Sequence, residues 1–336
     1  MKILITGGTG YIASHTCVEL LNKDYNLILI DNFCNSNNLI LDKIKKITNK
    51  NFKFYKTNLC NKRNLNKIFD ENDIDIVIHF ASLKSVGESV VNPLTYYRNN
   101  IDSTLTLLEV MKKHNCKKLI FSSSATVYAP SKIQPLLESS PLGASNPYGA
   151  TKIAIENLLN DIYISDSSWS IAILRYFNPA GAHKSGLLGE EYKNSNSLFS
   201  SISKVINDKE KEVFIMGNDY DTYDKTAIRD YIHVVDLAKA HLKVINRVKK
   251  YNEIDIYNIG TGRGYSVLEI LNTFMNTNNI KIKYKFTKRR EGDLPMYFCN
   301  PKYIYNKLNW KSKLTIEDMC KDTYNYIIKN KSKEEK

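Results

Sequence analysis

A chain of 336 residues, 43% apolar and 25% charged, is long enough to bury a large core in two domains or one large α/β unit. No apolar run reaches the roughly 18 residues of a membrane span, and neither the six scattered cysteines nor the histidines show CxxC, Cys/His or HExxH spacing, which excludes zinc and a disulfide framework and fits a reducing cytoplasm. The net charge of +13 raises the question of nucleic acid, but the lysines are spread through the chain, often beside Asn, with no nucleic-acid module, so the excess is read as steering a small anionic substrate.

The first strand is KILIT, and no basic region, apolar stretch and small-residue cleavage site precedes it as a secretory signal would. It leads into GGTGYIA, where Gly7, Gly10 and Ala13 fall at a strand-to-helix junction, with a helix from about Ala13. Small residues there let the chain turn tightly, bring the backbone up to a pyrophosphate and seat the helix close to the sheet, its N-terminus facing the anion. The next strand, NLILID, ends in Asp31, at the distance where a carboxylate binds an adenosine ribose. With no Arg beside it, Asp31 favours NAD over NADP, whose 2′-phosphate it would repel.

NFKFYKTN, DIDIVIHFA, KKLIFSSS and WSIAILRYF continue the alternation of strand-like and helical runs, which predicts βαβ units on a doubly wound parallel sheet. Before the last of these strands, NPYGATKIAIENLL places Tyr148 four residues ahead of Lys152. Spacing alone does not select this pair, since Tyr128 and Lys132, Tyr284 and Lys288, and Tyr303 and Lys307 share it. Local chemistry helps: Asn146 can cap a helix whose first residue is Pro147, and residues four apart share a helix face, whereas Pro130 spoils the helix of the Tyr128 pair. A phenol acting as a base near neutrality needs its pKa lowered by roughly 3 units, about 4 kcal/mol. A lysine ammonium and a helix N-terminus both push that way. After residue 180 the alternation weakens, and HKSGLLGEEYKNSNSL reads as loop. The expected division is a dinucleotide-binding domain over 1–178, to which 231–258 returns, a smaller α/β domain over 179–330, and a charged tail, 331–336, that frays.

TGGTGYIAS, LIFSSSATVY, NPYGATK, LRYFNPAGAH, GNDY, RDYIHVVDLA and RREGDLP occur in this order over nearly the whole chain. On these stretches it resembles the extended short-chain dehydrogenase/reductase family and, within it, the UDP-glucose 4-epimerase family, which interconverts UDP-galactose and UDP-glucose in galactose metabolism. The resemblance implies Tyr148 as the base, Lys152 as its partner, and Ser124 as a hydroxyl that binds the sugar and relays its proton. It implies NAD contacts from Gly7, Gly10, Tyr11, Ile12, Asp31, Asn32, Asn35, Ser36, Asn58, Leu59, Phe80, Ala81, Lys84, Asn99, Ser122, Tyr148, Lys152 and Phe177. The UDP-sugar would meet Lys84, Ser124, Tyr148, Tyr176, Asn178, Ser197, Leu198, Arg229, Arg290, Asp293 and Tyr297. Arginines suit a diphosphate because the guanidinium fork matches its oxygens. A homodimer is implied too, pairing the helix of PLTYYRNNIDSTLTLLEVMKKH with the one beginning at Tyr148, with Leu105, Leu108 and Leu158 as seam or core.

Several positions depart from the family pattern. Asn58 stands for an Asp near adenine, Ser82 for Gly in FAGLK, Ala129 for Gly in VYG, Ser197 for an Asn that binds the nucleotide, and Lys225 and Ala227 for glycines before Arg229. None removes the chemistry; they bear on affinity. Ala125 and Thr126 replace the Asp-Glu pair of nucleotide-sugar 4,6-dehydratases, so loss of water has no acid or base. The alternatives are a 4-epimerase of another nucleotide sugar such as UDP-N-acetylglucosamine, a net oxidoreductase, and a dinucleotide-binding sensor, which would need no Tyr/Lys pair. By resemblance Tyr297, four residues after Asp293, lines the sugar pocket where a smaller residue leaves room for an N-acetyl group.

Overall fold

The computed structural model describes residues 1–192, 195–290 and 293–334, with side chains through 331. By its contacts the chain divides into two compact units. The first comprises Met1–Pro130, Glu138–Tyr176 and Ala238–Tyr257, the second Ser131–Leu137, Phe177–Leu237 and Asn258–Lys336.

The first unit begins as strand β1 (Lys2–Thr6), helix α1 (Tyr11–Leu21), β2 (Asn26–Asp31), α2 (Leu39–Thr48), β3 (Lys53–Lys56), α3 (Lys62–Asp70) and β4 (Ile76–His79). Next come α4 (Val86–Val91), α5 (Pro93–Tyr97), a π-helical stretch over Arg98–Asp102 and α6 (Ser103–Lys113). Then follow β5 (Lys118–Ser124), α7 (Pro147–Ser165) and β6 (Ser170–Tyr176). The chain continues with β7 (Asn178–Ala180), α8 (Leu198–Ile206), β8 (Val213–Met216), β9 (Ile228–His233), α9 (Val234–Lys250) and β10 (Ile254–Ile259). It closes with β11 (Gly264–Ser266), α10 (Val267–Asn278), β12 (Tyr284–Thr287), β13 (Met296–Tyr297), α11 (Lys302–Leu308) and α12 (Ile316–Glu334).

The large sheet has the order β10-β6-β5-β4-β1-β2-β3, with β1 to β6 in parallel register. This is the doubly wound order, reversing between β1 and β4, where the carboxyl ends of the strands open a crevice for a ligand. Helices on both faces explain why β4 and β6 along their length, and β1 from Ile3 onward, are buried and do not alternate. His79, at the end of β4, is buried and bridges Thr6 (2.7 Å) and Thr104 (3.0 Å) through its two ring nitrogens. A second buried polar group ties β5 and β6 to α7. Arg175 pairs with Glu156 (Nη2 to Oε2, 2.6 Å), Ser123 donates to the same carboxylate at 2.5 Å, and the guanidinium covers the Tyr128 ring at 4.8 Å.

The expected return of 231–258 to the first unit narrows to Ala238–Tyr257. The reason is β9, which pairs with β7, β11 and β13 rather than with the large sheet. Within the second unit the buried Asp230 carboxylate accepts the amides of Thr261 (2.8 Å), Gly262 (2.9 Å) and Cys299 (3.3 Å), fixing β9 against the loop after β10. The expected frayed tail starts inside α12: Lys331 donates to the Ile206 carbonyl at 2.9 Å and to Asp208 at 2.6 Å.

Candidate active site

The turn between β1 and α1 needs its glycine. Gly7 has φ +65°, and a Cβ there would stand 2.9 Å from the Ala81 backbone. No side chain caps α1 at Gly10, so the positive end of the helix dipole faces the crevice without a capping oxygen. Asp31 ends β2 and accepts the Thr9 amide (3.1 Å) and the Phe33 amide (2.8 Å), while the hydroxyls of Ser36 and Thr9 lie 2.6 Å apart. The loop carrying Asn32, Asn35 and Ser36 is thereby tied to the glycine turn. A carboxylate has about four lone-pair sites, so Asp31 keeps capacity for a ribose hydroxyl. A helix dipole end without a side-chain cap and a carboxylate at a switch point fit the pyrophosphate and adenosine of a dinucleotide.

Other expected cofactor residues lie on the same unit. Phe80, Ala81 and Lys84 follow β4, Asn99 is in the π-helical stretch, and Asn58 and Leu59 follow β3. The Asn58 side chain accepts the Cys60 amide at 2.9 Å, and Leu59 is a core residue, so its side chain is committed to packing. Phe177 belongs to the second unit, buried, its ring 6.0 Å from that of Tyr297.

At the carboxyl end of β5 the expected catalytic group assembles. Asn146 caps α7 by accepting the Gly149 amide at 2.9 Å, with Pro147 in the first turn, so Tyr148 and Lys152 project one turn apart. Tyr148 is hydrogen-bonded to Ser124, whose hydroxyl also accepts the Thr126 amide (3.2 Å) and lies 3.0 Å from the Thr126 hydroxyl. Lys152, only 2% exposed, donates to the Ser122 carbonyl (2.8 Å) and the Ser82 hydroxyl (3.1 Å), with Nζ 5.7 Å from the centre of the Tyr148 ring.

The expected lowering of the Tyr148 phenol is not produced by the chain's own residues. Burial pushes it up to about 12, against the Ser124 hydrogen bond, which lowers it. Burial also pushes Lys152 down to about 7, opposed by the Glu156 charge. Desolvation outweighs the helix end and the lysine because Nζ is turned to its two oxygen acceptors rather than to the phenol oxygen. Tyr176, opposite Ser124 in the register of β5 and β6, is 2.8 Å from His241 through its hydroxyl, and burial pushes that phenol up as well.

The remaining expected residues form a group within the second unit. Arg229 on β9 pairs with Asp293 at 2.5 Å, and Tyr297 on β13 lies beside Arg229 in register. Tyr220, fully buried, approaches Asp293 at 3.4 Å and carries the Arg289 guanidinium over its ring at 4.2 Å. Arg290 is exposed, and its carbonyl accepts the Asp293 amide at 3.2 Å. Asn178 opens β7. Ser197 caps α8, whose first residue is Leu198, by accepting the Ser200 amide (3.0 Å), and donates to Glu190 (2.7 Å), so its hydroxyl is engaged on both sides. Lys225, in place of a glycine, takes φ +66°, a strained value for a residue with a side chain. Ala129, another replacement, has room because it faces Gly143.

Sequence reasoning missed three residues. The buried Asn100 amide bonds both the amide (2.8 Å) and carbonyl (3.1 Å) of Leu83 and the hydroxyl of Thr151 (3.1 Å), clamping the loop after β4 to α7. Tyr220 stands in the sequence only inside GNDY and Thr126 only as the replacement of a dehydratase acid, and neither carries a local signal of its role.

Comparison with known proteins bears on the whole chain. Residues 3–260 match the family described as NAD dependent epimerase/dehydratase. The chain is 46% identical over 331 residues to a UDP-glucose 4-epimerase of Bacillus subtilis (strain 168), covering 98% of each. It superposes with a TM-score of 0.93 and 47% identity on the crystal structure of UDP-glucose 4-epimerase from Bifidobacterium longum in complex with NAD+ and UDP, covering 98% of this chain and 99% of that one. With a TM-score of 0.97 and 37% identity it matches the Stenotrophomonas maltophila enzyme with bound NAD and formylated UDP-arabinopyranose, covering 99% of both. With a doubly wound sheet, a glycine turn backed by Asp31 and a Tyr148–Ser124 pair one helical turn from the buried Lys152, the chain belongs to the NAD dependent epimerase/dehydratase family.

Proposed function

We propose that the chain is a UDP-glucose 4-epimerase, interconverting UDP-galactose and UDP-glucose with NAD as a tightly held cofactor. The observation that carries this reading is the Tyr148 phenol hydrogen-bonded to Ser124 at the carboxyl end of β5, with Lys152 one helical turn on. NAD, when bound, supplies the hydride acceptor for C4 of the sugar and a cationic ring. The chain's residues do the rest. Ser124 binds the C4 hydroxyl, and Tyr148 takes its proton as the carbonyl forms, then returns it when the opposite face of the 4-keto sugar is reduced. Because the phenol titrates near 12 in the chain alone, its loss of a proton near neutrality depends on positive charge beyond Lys152. Arg229 and Arg290 hold the diphosphate, and Asp293, fixed by Arg229, orients the nucleoside. A firmly held UDP with a loosely held sugar lets the ketone turn over between the two half-reactions.

Two further parts of the reading concern assembly and place. The helices α4 to α7 expose Val90, Val91, Leu94, Tyr97, Leu105 and Ile164, an apolar surface suited to a second copy of the same chain. No helix among the described residues is long and apolar enough to cross a membrane, and a reducing cytoplasm suits its free cysteines.

The test is a coupled assay converting UDP-galactose to UDP-glucose without added NAD. Tyr148→Phe should lower kcat by about 10²- to 10⁴-fold with dinucleotide still bound, and Tyr128→Phe, which keeps the ring beneath Arg175, should be mild. Near-normal turnover of Tyr148→Phe would overturn the assignment.

A further inference from the structure

The loop leaving β4 reaches Lys152 through a residue that the family pattern does not use. Ser82 places its hydroxyl 3.1 Å from Lys152 Nζ, and the Ser122 carbonyl accepts a second hydrogen bond from the ammonium at 2.8 Å. This loop is not free to drift. The Asn100 amide holds Leu83, the next residue, at both its N–H and its C=O, and also holds Thr151, the residue before Lys152. Both partners are thus fixed to one side chain. We propose that Ser82 is a positioning residue for Lys152, accepting a hydrogen bond from its ammonium so that the amine stays charged and fixed beside the Tyr148 ring.

The physical case lies in how little else favours the charge. Lys152 is almost wholly buried, against the Phe121 ring at 4.8 Å, and burial draws its titration down to about 7. Its charge therefore hangs on small contributions in the working range. A hydrogen bond from an ammonium is about twice as strong as one from a neutral amine, so each fixed acceptor favours the protonated form. Glycine at this position could offer no acceptor, and alanine would fill the space without one.

The inference rests on the proposed Tyr148–Lys152 chemistry, and two readouts keep its failure distinct from failure of that reading. The first is the pH profile of kcat for the wild type, Ser82→Ala, Ser82→Gly and Ser82→Thr. The second, independent of turnover, is the ¹³C NMR titration of the Lys152 ε-carbon, assigned by its absence in Lys152→Met. Ser82→Ala and Ser82→Gly are expected to lower the Lys152 titration by about one pH unit, to bring the alkaline limb of kcat down with it, and to lose roughly tenfold in kcat at neutral pH. Ser82→Thr, which keeps the hydroxyl, should restore both. Titrations that superimpose on the wild type, a Ser82→Gly enzyme as fast as or faster than the wild type, or a Ser82→Thr enzyme that behaves like Ser82→Ala would each overturn the assignment. If the wild type shows no epimerase activity, the proposed function falls, while the NMR titration still decides whether Ser82 supports the lysine charge.

Discussion

Tyr297 shows how one side chain sets a preference. It is held beside Arg229 by strand pairing, with its ring 6.0 Å from that of Phe177. On the proposed function this phenol fills the space that a 2-acetamido group would need. Displacing it costs on the order of 1 to 3 kcal/mol, or about ten- to a hundredfold in kcat/KM. UDP-glucose should therefore be preferred over UDP-N-acetylglucosamine by that factor, and Tyr297→Cys should narrow the gap; equal kcat/KM for both sugars in the unaltered chain would refute the role. At this scale the placing of Tyr148 and Lys152 one turn apart on a capped helix was legible, because the cap at Asn146 and Pro147 is local chemistry, whereas Ser124 entered only through the family resemblance. The ionisation of Tyr148 was not. It depends on how many atoms surround the phenol and on where Lys152 directs its protons, and both are set by residues distant in sequence, such as Ser82 and Ser122.

Among the elements, β5, β6 and α7 converge on one buried ion pair. Removing the Glu156 carboxylate would strand the Arg175 guanidinium in the core and leave the Ser123 hydroxyl without its acceptor. Glu156→Ala is expected to destabilise the fold by about 3 to 5 kcal/mol, read as a lowered denaturant midpoint; a loss below about 1 kcal/mol would show that the pair is not a keystone. His79 joins β1, β4 and α6 in its neutral form. Burial first, and then the Lys152 charge, push it down to about 3 from an ordinary 6.5. Between those values the unfolded chain carries a proton that the folded chain does not, so stability should fall as pH drops through this window. Urea midpoints measured from pH 7 to pH 4 should decline, and less steeply in His79→Gln; equal slopes would mean that other groups govern acid unfolding. The strands themselves were legible from their apolar, β-branched runs. The π-helical stretch at Arg98–Asp102 was not: the run PLTYYRNNIDSTLTLL has helical character throughout, and its widened turn accompanies the tertiary bonds of Asn100 to Leu83 and Thr151.

For the whole molecule, the proposed dimer makes the sharpest demand. Of the three leucines expected at its seam or core, Leu108 is buried in the core, Leu158 packs partly against it, and Leu105 is exposed, as are Val91, Leu94 and Ile164. The apolar face on α4 to α7 should hold two copies together at micromolar concentration. Replacing Leu94, 84% exposed, by Glu should shift sedimentation to the monomer without loss of secondary structure. A wild-type chain that sediments as a monomer would exclude the assembly.

The sequence by itself determined the class of the fold and the core of the chemistry. Strand-helix alternation, the Gly7–Gly10 turn, Asp31 at the end of β2 and the cap before Tyr148 are encoded within a few residues each. Their physics is periodicity, φ freedom and local hydrogen bonding, which needs no distant partner. Tertiary structure alone decided which polar groups meet: His79 with Thr6 and Thr104, Arg175 with Glu156, Asp230 with the loop at Thr261, Ser82 with Lys152. Those meetings join residues far apart in the chain, and burial multiplies their effect, because desolvation and paired charge act through the surroundings of a side chain and not through its place in the sequence.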